Sequence, residues 1–319
     1  MGKTFLKRIL LLLFFGILLS GLSGCSERHE QTNSSERPAA KTIRIGIVPE
    51  QTIFSQLKRF QPLAAYIGHK IGINIELVLV PRYGNIVESF KAEQLDGAFF
   101  GSLTGAMALQ SLQIIPIVRP EAKDGSSTYY GMIIVRKDSG IRNGADMQGK
   151  RFAFVDKATT AGYLVPLQYF MEEGIADYHI WLSEIYFAGT YEDAIYDVLN
   201  KKADIGAAKS TVFYRFAQTD SRLQDELEIL ATSPEIPENG LAMKGDIDQH
   251  YLTVLKNCLL EMNGDPKGRE VLDGFGARRF IEATAADYQP ALDLADRLGL
   301  GLAMNQKHNA TAPDTQGSM

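Results

Sequence analysis

Cysteine is almost absent: of 319 residues only Cys25 and Cys258 carry a thiol. The body after residue 25 therefore has no internal disulfide to close. Cys258 lies in the apolar helical pattern LTVLKNCLLEM, where a buried, unreactive thiol is expected. Histidine is equally sparse, and His29, His69, His179, His250 and His308 stand apart from one another. None has a second ligand at metal spacing, a cysteine or a Ser-Gly elbow beside it, so a metal centre and a nucleophilic triad are both excluded from the expectation. A Gly-rich loop with lysine, which would cradle a nucleotide, is missing as well. Glu192 and Asp193 begin a helical segment, where acids favour the macrodipole and need no general-base role. The reading is of a protein that is not an enzyme, although a fold alone does not exclude one. A net charge of −5 with interspersed signs lacks the basic surface that nucleic acid requires.

Long apolar runs are also lacking, and the one at residues 9–19 is short of the roughly 20 residues that span a bilayer. It follows Lys3, Lys7 and Arg8 and ends at Leu22-Ser23-Gly24-Cys25. A basic start, an apolar centre and a small-residue cut site define an export signal over residues 1–24. The final tetrad resembles a lipobox, in which the cysteine is acylated and becomes the new N-terminus. Cys25 is thus the expected lipidation site and membrane anchor, with a polar tether over residues 25–41. The expected location is extracytoplasmic, on a membrane facing the periplasm or the cell surface. Residues 304–319 read as a loose polar tail.

Between tether and tail, strand-like and helix-like segments alternate, which predicts an α/β class with mostly parallel sheets. Strands are expected at 43–48, 75–80, 97–100, 114–118, 130–135, 150–155, 185–187 and 205–208. Helices are expected between them, and a helical C-terminal third at 248–262, 267–274 and 284–298. Three pairs share one offset: Tyr83 and Tyr191, Asp96 and Asp204, Ser102 and Ser210 are each 108 residues apart. One α/β unit used twice gives two lobes, residues 42–130 and 131–238, with residues 239–303 returning to the first. Crossings are expected near 128–135 and 235–243, the second marked by Pro234, Pro237 and Gly240. Such a protein has its cleft where strand ends from both lobes meet helix N-termini.

The segments reaching that cleft are small and hydroxylated: Gly101-Ser102-Leu103-Thr104, Ala158-Thr159-Thr160-Ala161-Gly162, Gly189-Thr190 and Lys209-Ser210-Thr211. Free N–H groups and the positive dipole end make each a potential anion contact. Ser and Thr are equally ordinary N-caps. Four or five charge-assisted hydrogen bonds at about 1.5–3 kcal/mol each would reach micromolar affinity, about −8.2 kcal/mol.

From Ile43 to about Leu300 the chain resembles the substrate-binding lipoproteins of phosphate, phosphite and phosphonate ABC importers. The resemblance rests on Pro81-Arg82-Tyr83-Gly84-Asn85-Ile86, Leu95-Asp96-Gly97-Ala98-Phe99-Phe100-Gly101, the run from Tyr130 to Ile141, and Thr159-Thr160-Ala161-Gly162-Tyr163-Leu164-Val165-Pro166. It implies a two-lobed periplasmic-binding-protein fold of type II. It further implies that Thr159 and Thr160 grip phosphoryl oxygens, that Ala161 lacks a third hydroxyl the family usually has, and that Tyr83 and Phe100 lie on pocket positions. Two departures fall in the second lobe. The family often has a histidine after the Ala-Gly pair, where this chain has Thr190 and Tyr191; and an acidic or amide residue stands where this chain has Lys209 and Ser210. A lysine there favours a small, fully anionic ligand over an aminoalkyl one, unless Lys209 is a solvated edge charge. With no cofactor, the expected partners are a small phosphorus oxyanion and an ABC permease with its ATPase. A signalling receptor that reads the closed lobes is the alternative, and a monomer is expected.

Overall fold

The structure is a computed structural model that describes residues 41–300. The export signal, Cys25, most of the tether and the tail lie outside the described residues. Among those described, no helix is long and apolar enough to cross a membrane.

The first half-sheet is built from β1 (Thr42–Ile47), β2 (Asn74–Leu79) and β3 (Gly97–Phe100), with β1 parallel to both neighbours. Helix α1 (Ile53–Ile71) connects β1 to β2, burying Phe60, Leu63, Ala64, Tyr66 and Ile67 along one face. It stops at Gly72, whose left-handed φ of 70° lets its N–H reach the Gly68 carbonyl. Helix α2 (Ile86–Ala92) leads to β3 and α3 (Ser102–Leu112) leaves it. Strand β4 (Ile115–Glu121) completes this passage, and the short β5 (Thr128–Tyr129) carries the chain out.

Strand β6 (Gly131–Arg136) enters the second sheet, followed by β7 (Arg151–Phe154), helix α4 (Val165–Glu172), β8 (Glu184–Phe187), helix α5 (Tyr191–Leu199), β9 (Ile205–Lys209) and helix α6 (Ser210–Ala217). Strand β7 is parallel to β8 and β9. Strand β10 (Leu227–Thr232) closes that sheet beside β6, and β11 (Ile236–Pro237) returns antiparallel to β5. Strand β12 (Gly240–Met243) then enters the first sheet between β3 and β4. Helices α7 (Gln249–Leu260) and α8 (Pro266–Phe275), strand β13 (Arg279–Glu282) and helix α9 (Gln289–Arg297) finish the chain.

The sheet orders are β13-β4-β12-β3-β1-β2 and β10-β6-β9-β7-β8. Their inner parts are the same design. A central strand lies parallel to its two neighbours, and a crossing strand (β12 or β6) runs antiparallel to the outer one. The 108-residue offset is a structural equivalence. Asp96 accepts the backbone N–H of Arg44 at 3.0 Å, and Asp204 that of Arg151 at 2.9 Å. Each acid thereby pins the start of its lobe's central strand.

Two expectations need correction. The sheets are mixed rather than mostly parallel, because crossing and edge strands add antiparallel pairs on one side of each three-stranded parallel unit. The C-terminal third is not all helical, since β10 and β13 are edge strands, too short or too polar on one face to read as such. Cys258 is half-buried, and burial raises its thiol.

One apolar core covers the second sheet and the α2–α3–α9 face of the first, while the other packs α1, α7 and α8 on the opposite face of the first sheet. A Cβ on Gly105 of α3 would lie 2.0 Å from the Tyr288 ring, whereas one on Gly274 of α8 would meet nothing within 4 Å. Gly105→Ala should therefore lower stability by about 1–3 kcal/mol through overpacking. Gly274→Ala should raise it by about 0.5–1 kcal/mol through helix propensity. Melting curves of the two variants, moving in opposite directions, check both.

Candidate functional site

At the carboxyl end of β7 the chain turns tightly around Asp156. Its Oδ1 accepts the Ala158 N–H at 2.8 Å, and its carbonyl accepts both the Thr159 N–H at 3.0 Å and the Thr159 hydroxyl at 2.5 Å. Residues Thr160–Leu164 then wind as a single π-helical turn before α4 begins. Such turns recur at functional sites because they widen the helix opening. Gly162 permits it here: a Cβ would lie 2.5 Å from both the Thr159 Oγ1 and the Val155 Cβ.

This turn faces a small cavity of about 10 Å³, shared by both lobes. Glu50, Tyr83, Gly101, Ser102, Leu103 and Asn239 line it from the first lobe and second crossing, and Tyr129 from the first crossing. Ala158, Thr159, Thr160 and Tyr191 line it from the second lobe. Tyr83 and Tyr191, the equivalent residues of the two repeats, meet edge to face with centroids 6.2 Å apart. The Tyr83 hydroxyl is buried and makes no hydrogen bond among the described residues. Thr160 Oγ1 lies near the Tyr129 phenol, yet it too is buried without a hydrogen bond among the described residues. Burial pushes the Tyr83 and Tyr191 phenols well above their usual range, so both stay neutral hydrogen-bond donors.

The remaining sequence-predicted residues lie around this cavity without lining it. Phe100 is fully buried and stacks on Phe90 at 6.1 Å. Thr104 donates to the Gly101 carbonyl at 3.1 Å, and Thr190 caps α5 by accepting the Asp193 N–H at 2.9 Å. Ala161 is buried inside the π turn. The two repeat serines both hold the first crossing: Ser102 shares a 2.9 Å bond with the Tyr129 hydroxyl, and Ser210 Oγ accepts the Tyr130 N–H at 3.1 Å.

Lys209 is not a solvated edge charge, being 2 % exposed. Its ammonium donates to Glu50 Oε1 at 2.6 Å and to Glu238 Oε1, and it lies 4.5 Å from the centroid of the Tyr129 ring. Glu50 also accepts from Asn239 Nδ2 at 2.8 Å and from Arg59 at 3.2 Å. Burial alone would raise the Glu50 carboxyl, but Lys209 and Arg59 more than offset it and hold the group down at about 2. Burial and the nearby Arg59 depress Arg215 to about 9. The lobes are tied further by the Tyr191 N–H on the Glu50 carbonyl at 3.0 Å and by the Thr52 N–H on the Glu192 carboxylate at 2.8 Å.

Glu50, Tyr129 and Asn239 were absent from the sequence expectation. Glu50 had a usable signal, since an acid directly after the first buried strand stands at the cleft end of that strand. Asn239 and Tyr129 had none beyond lying in the crossings.

Two sheets joined by two crossings, with the cavity between them at strand ends, make the two-lobed periplasmic-binding-protein fold of type II. Over residues 45–288 the chain matches the family model described as the periplasmic substrate-binding protein of the phosphonate ABC transporter, and it belongs to that family. It is 24 % identical over 270 residues to the probable ABC transporter phosphite-binding protein PhnD1 of Prochlorococcus marinus (strain MIT 9301), covering 81 % of this chain and 90 % of that one. It is 23 % identical over 262 residues to the phosphonates-binding periplasmic protein of Escherichia coli (strain K12), covering 80 % and 76 %. The solved structure of PhnD1 in complex with methylphosphonate matches in fold with a TM-score of 0.73 at 21 % identity, covering 82 % of this chain and 99 % of that one. These relatives are binding components of transporters, not enzymes.

The Glu50 carboxyl is lowered in the folded state, so it contributes stability above its ordinary value of 4.5 that is lost as pH falls toward about 2. Glu50→Gln should be less stable at neutral pH, and its deficit relative to the parent should narrow as pH falls from about 4.5 to about 2. Chemical denaturation at stepped pH reads this; a gap that stays constant would refute it.

Proposed function

We propose that this protein captures a small phosphorus oxyanion (phosphate, phosphite or a short phosphonate) between Thr159, Thr160, Tyr83, Tyr191 and Ser102, and delivers it to an ABC permease by presenting the closed lobes. The observation that carries this reading is the pair of buried, unpartnered hydroxyls on Tyr83 and Thr160, facing one cavity from opposite lobes. A buried polar group without a partner costs about 1–3 kcal/mol. A ligand accepting from both removes that cost, and does so only when the lobes are together. The π turn sets a helix start at the cavity, and the N-terminal end of a helix favours negative charge. Acylation of Cys25 would hold the protein on the membrane near its permease.

The cavity, at about 10 Å³, barely admits one water, so any ligand widens it, and each added ligand atom widens it more. Isothermal titration of the body from Lys41 should give affinities that fall from phosphite through phosphate and methylphosphonate, which have equal numbers of non-hydrogen atoms, to aminoethylphosphonate, with sulfate as the non-phosphorus control. Tyr83→Phe and Thr160→Val should each weaken the best ligand by about 10- to 100-fold, the worth of one hydrogen bond to a charged group. Wild-type protein that binds none of these anions, or variants that bind as the parent does, would overturn the reading.

A further inference from the structure

Beside the oxyanion cavity the structure holds a second recognition element, and the chain fills it itself. Two carboxylate oxygens, Glu50 Oε1 and Glu238 Oε1, and the face of the Tyr129 ring surround the ammonium of Lys209. Paired carboxylates with an aromatic face are the chemistry that recognises an organic ammonium. Glu50 and Tyr129, together with Asn239, also line the oxyanion cavity, so cage and cavity share a wall. The three cage groups come from three places: the end of β1, the first crossing, and the turn between β11 and β12. Lys209 enters from a fourth, the end of β9 in the other lobe.

We infer that Glu50, Glu238 and Tyr129 form a primary-ammonium subsite adjoining the oxyanion cavity, and that Lys209 occupies it as an internal ligand, excluding cationic substituents on the ligand. This rests on the oxyanion reading for its consequence but not for its test. An aminoalkyl oxyanion would have to place its amine where the Lys209 Nζ already sits. Removing the lysine side chain opens the subsite toward the cavity and leaves Glu50 Oε1 and Glu238 Oε1 each short of one donor. Arg59 and Arg215 remain nearby to balance the two acids, which favours survival of the fold.

The experiment is thermal melting of Lys209→Ala in the full mature chain with ethylammonium chloride, against equal sodium chloride and equal tetramethylammonium chloride. Ethylammonium should raise the melting temperature of the variant by a few degrees, as mass action requires of a ligand specific to the folded state. Tetramethylammonium, which has no N–H to donate, and sodium should not, and the parent should respond to none. Adding Glu50→Gln and Glu238→Gln to the variant should abolish the response. If Lys209→Ala does not fold, Lys209→Ala/Glu238→Gln, with half the carboxylate charge left uncovered, carries the same comparison at reduced amplitude. Lack of response to ethylammonium, or an equal response in the parent, would overturn the subsite. In a second arm, Lys209→Ala should gain about tenfold or more in its affinity for aminoethylphosphonate relative to methylphosphonate. A parent that binds no phosphorus oxyanion would remove this second arm's meaning and fail the proposed function, while the ethylammonium comparison would still decide the subsite.

Discussion

A lysine ammonium withdrawn from water is the constraint around which the cleft is organised. Taking an ion of this size out of water costs several kcal/mol even after relaxation, and only close, well-directed partners recover that cost. Lys209 finds them in two acids that belong neither to its own sheet nor to each other's strand. Glu50 follows β1, and Glu238 precedes β12. One cation thus fixes the end of the first lobe's central strand, the second crossing, and the end of β9 relative to one another. The consequence reaches the backbone. With Glu50 held, its carbonyl accepts the Tyr191 N–H, and the Thr52 N–H that opens α1 meets the Glu192 carboxylate. Because a buried pair contributes little net energy against an apolar replacement, the clasp acts more by specifying one closed geometry than by strengthening it.

The duplicated unit explains why the site is asymmetric. Thr52 and Thr159 both precede the helix that follows their lobe's central strand. In the first lobe that helix start is capped by Glu192 from the other side of the cleft. In the second lobe the helix opens with a π turn, and its Thr160 hydroxyl stays unengaged. The residues before the repeat serines differ in the same sense: Gly101 leaves space in the cavity wall, and Lys209 fills its counterpart with a charged chain. Two equivalent helix starts have thus diverged into one open turn and one clasp.

What was legible in the sequence divides along a physical line. Local patterning revealed β1, β3, β7 and β9 as short buried runs, and the Tyr83/Tyr191, Asp96/Asp204 and Ser102/Ser210 offset revealed the duplication, because equivalent backbone positions impose equivalent residues. The Thr159–Gly162 motif was legible because a tight turn into a π turn demands a small, hydroxylated sequence with glycine at its crowded point. Strands β10 and β13 were not, because an edge strand buries one face over few residues and leaves little period to read. The partners of Lys209 were not legible either. Glu50 is 159 residues away, and nothing in the sequence distinguishes a lysine that meets two buried acids from one that meets solvent.

The same arrangement of the lobes holds two opposed contributions. The Lys209 clasp, the Glu192 cap and the Tyr83–Tyr191 contact favour closed lobes without any ligand. The Tyr83 and Thr160 hydroxyls, buried and without a partner among the described residues, carry the cost of unpaired polar groups in this arrangement. A ligand shifts such an equilibrium only by its differential affinity for the two states. An oxyanion seated between the two hydroxyls has that differential built in, because it relieves the opposing contribution while leaving the clasp untouched. A cation would have to compete with Lys209 and so disturb the contribution that favours closure. On the proposed reading, charge selectivity and response to ligand would both come from one arrangement, in which Lys209 already sits between Glu50 and Glu238 while the Tyr83 and Thr160 hydroxyls are unpaired among the described residues.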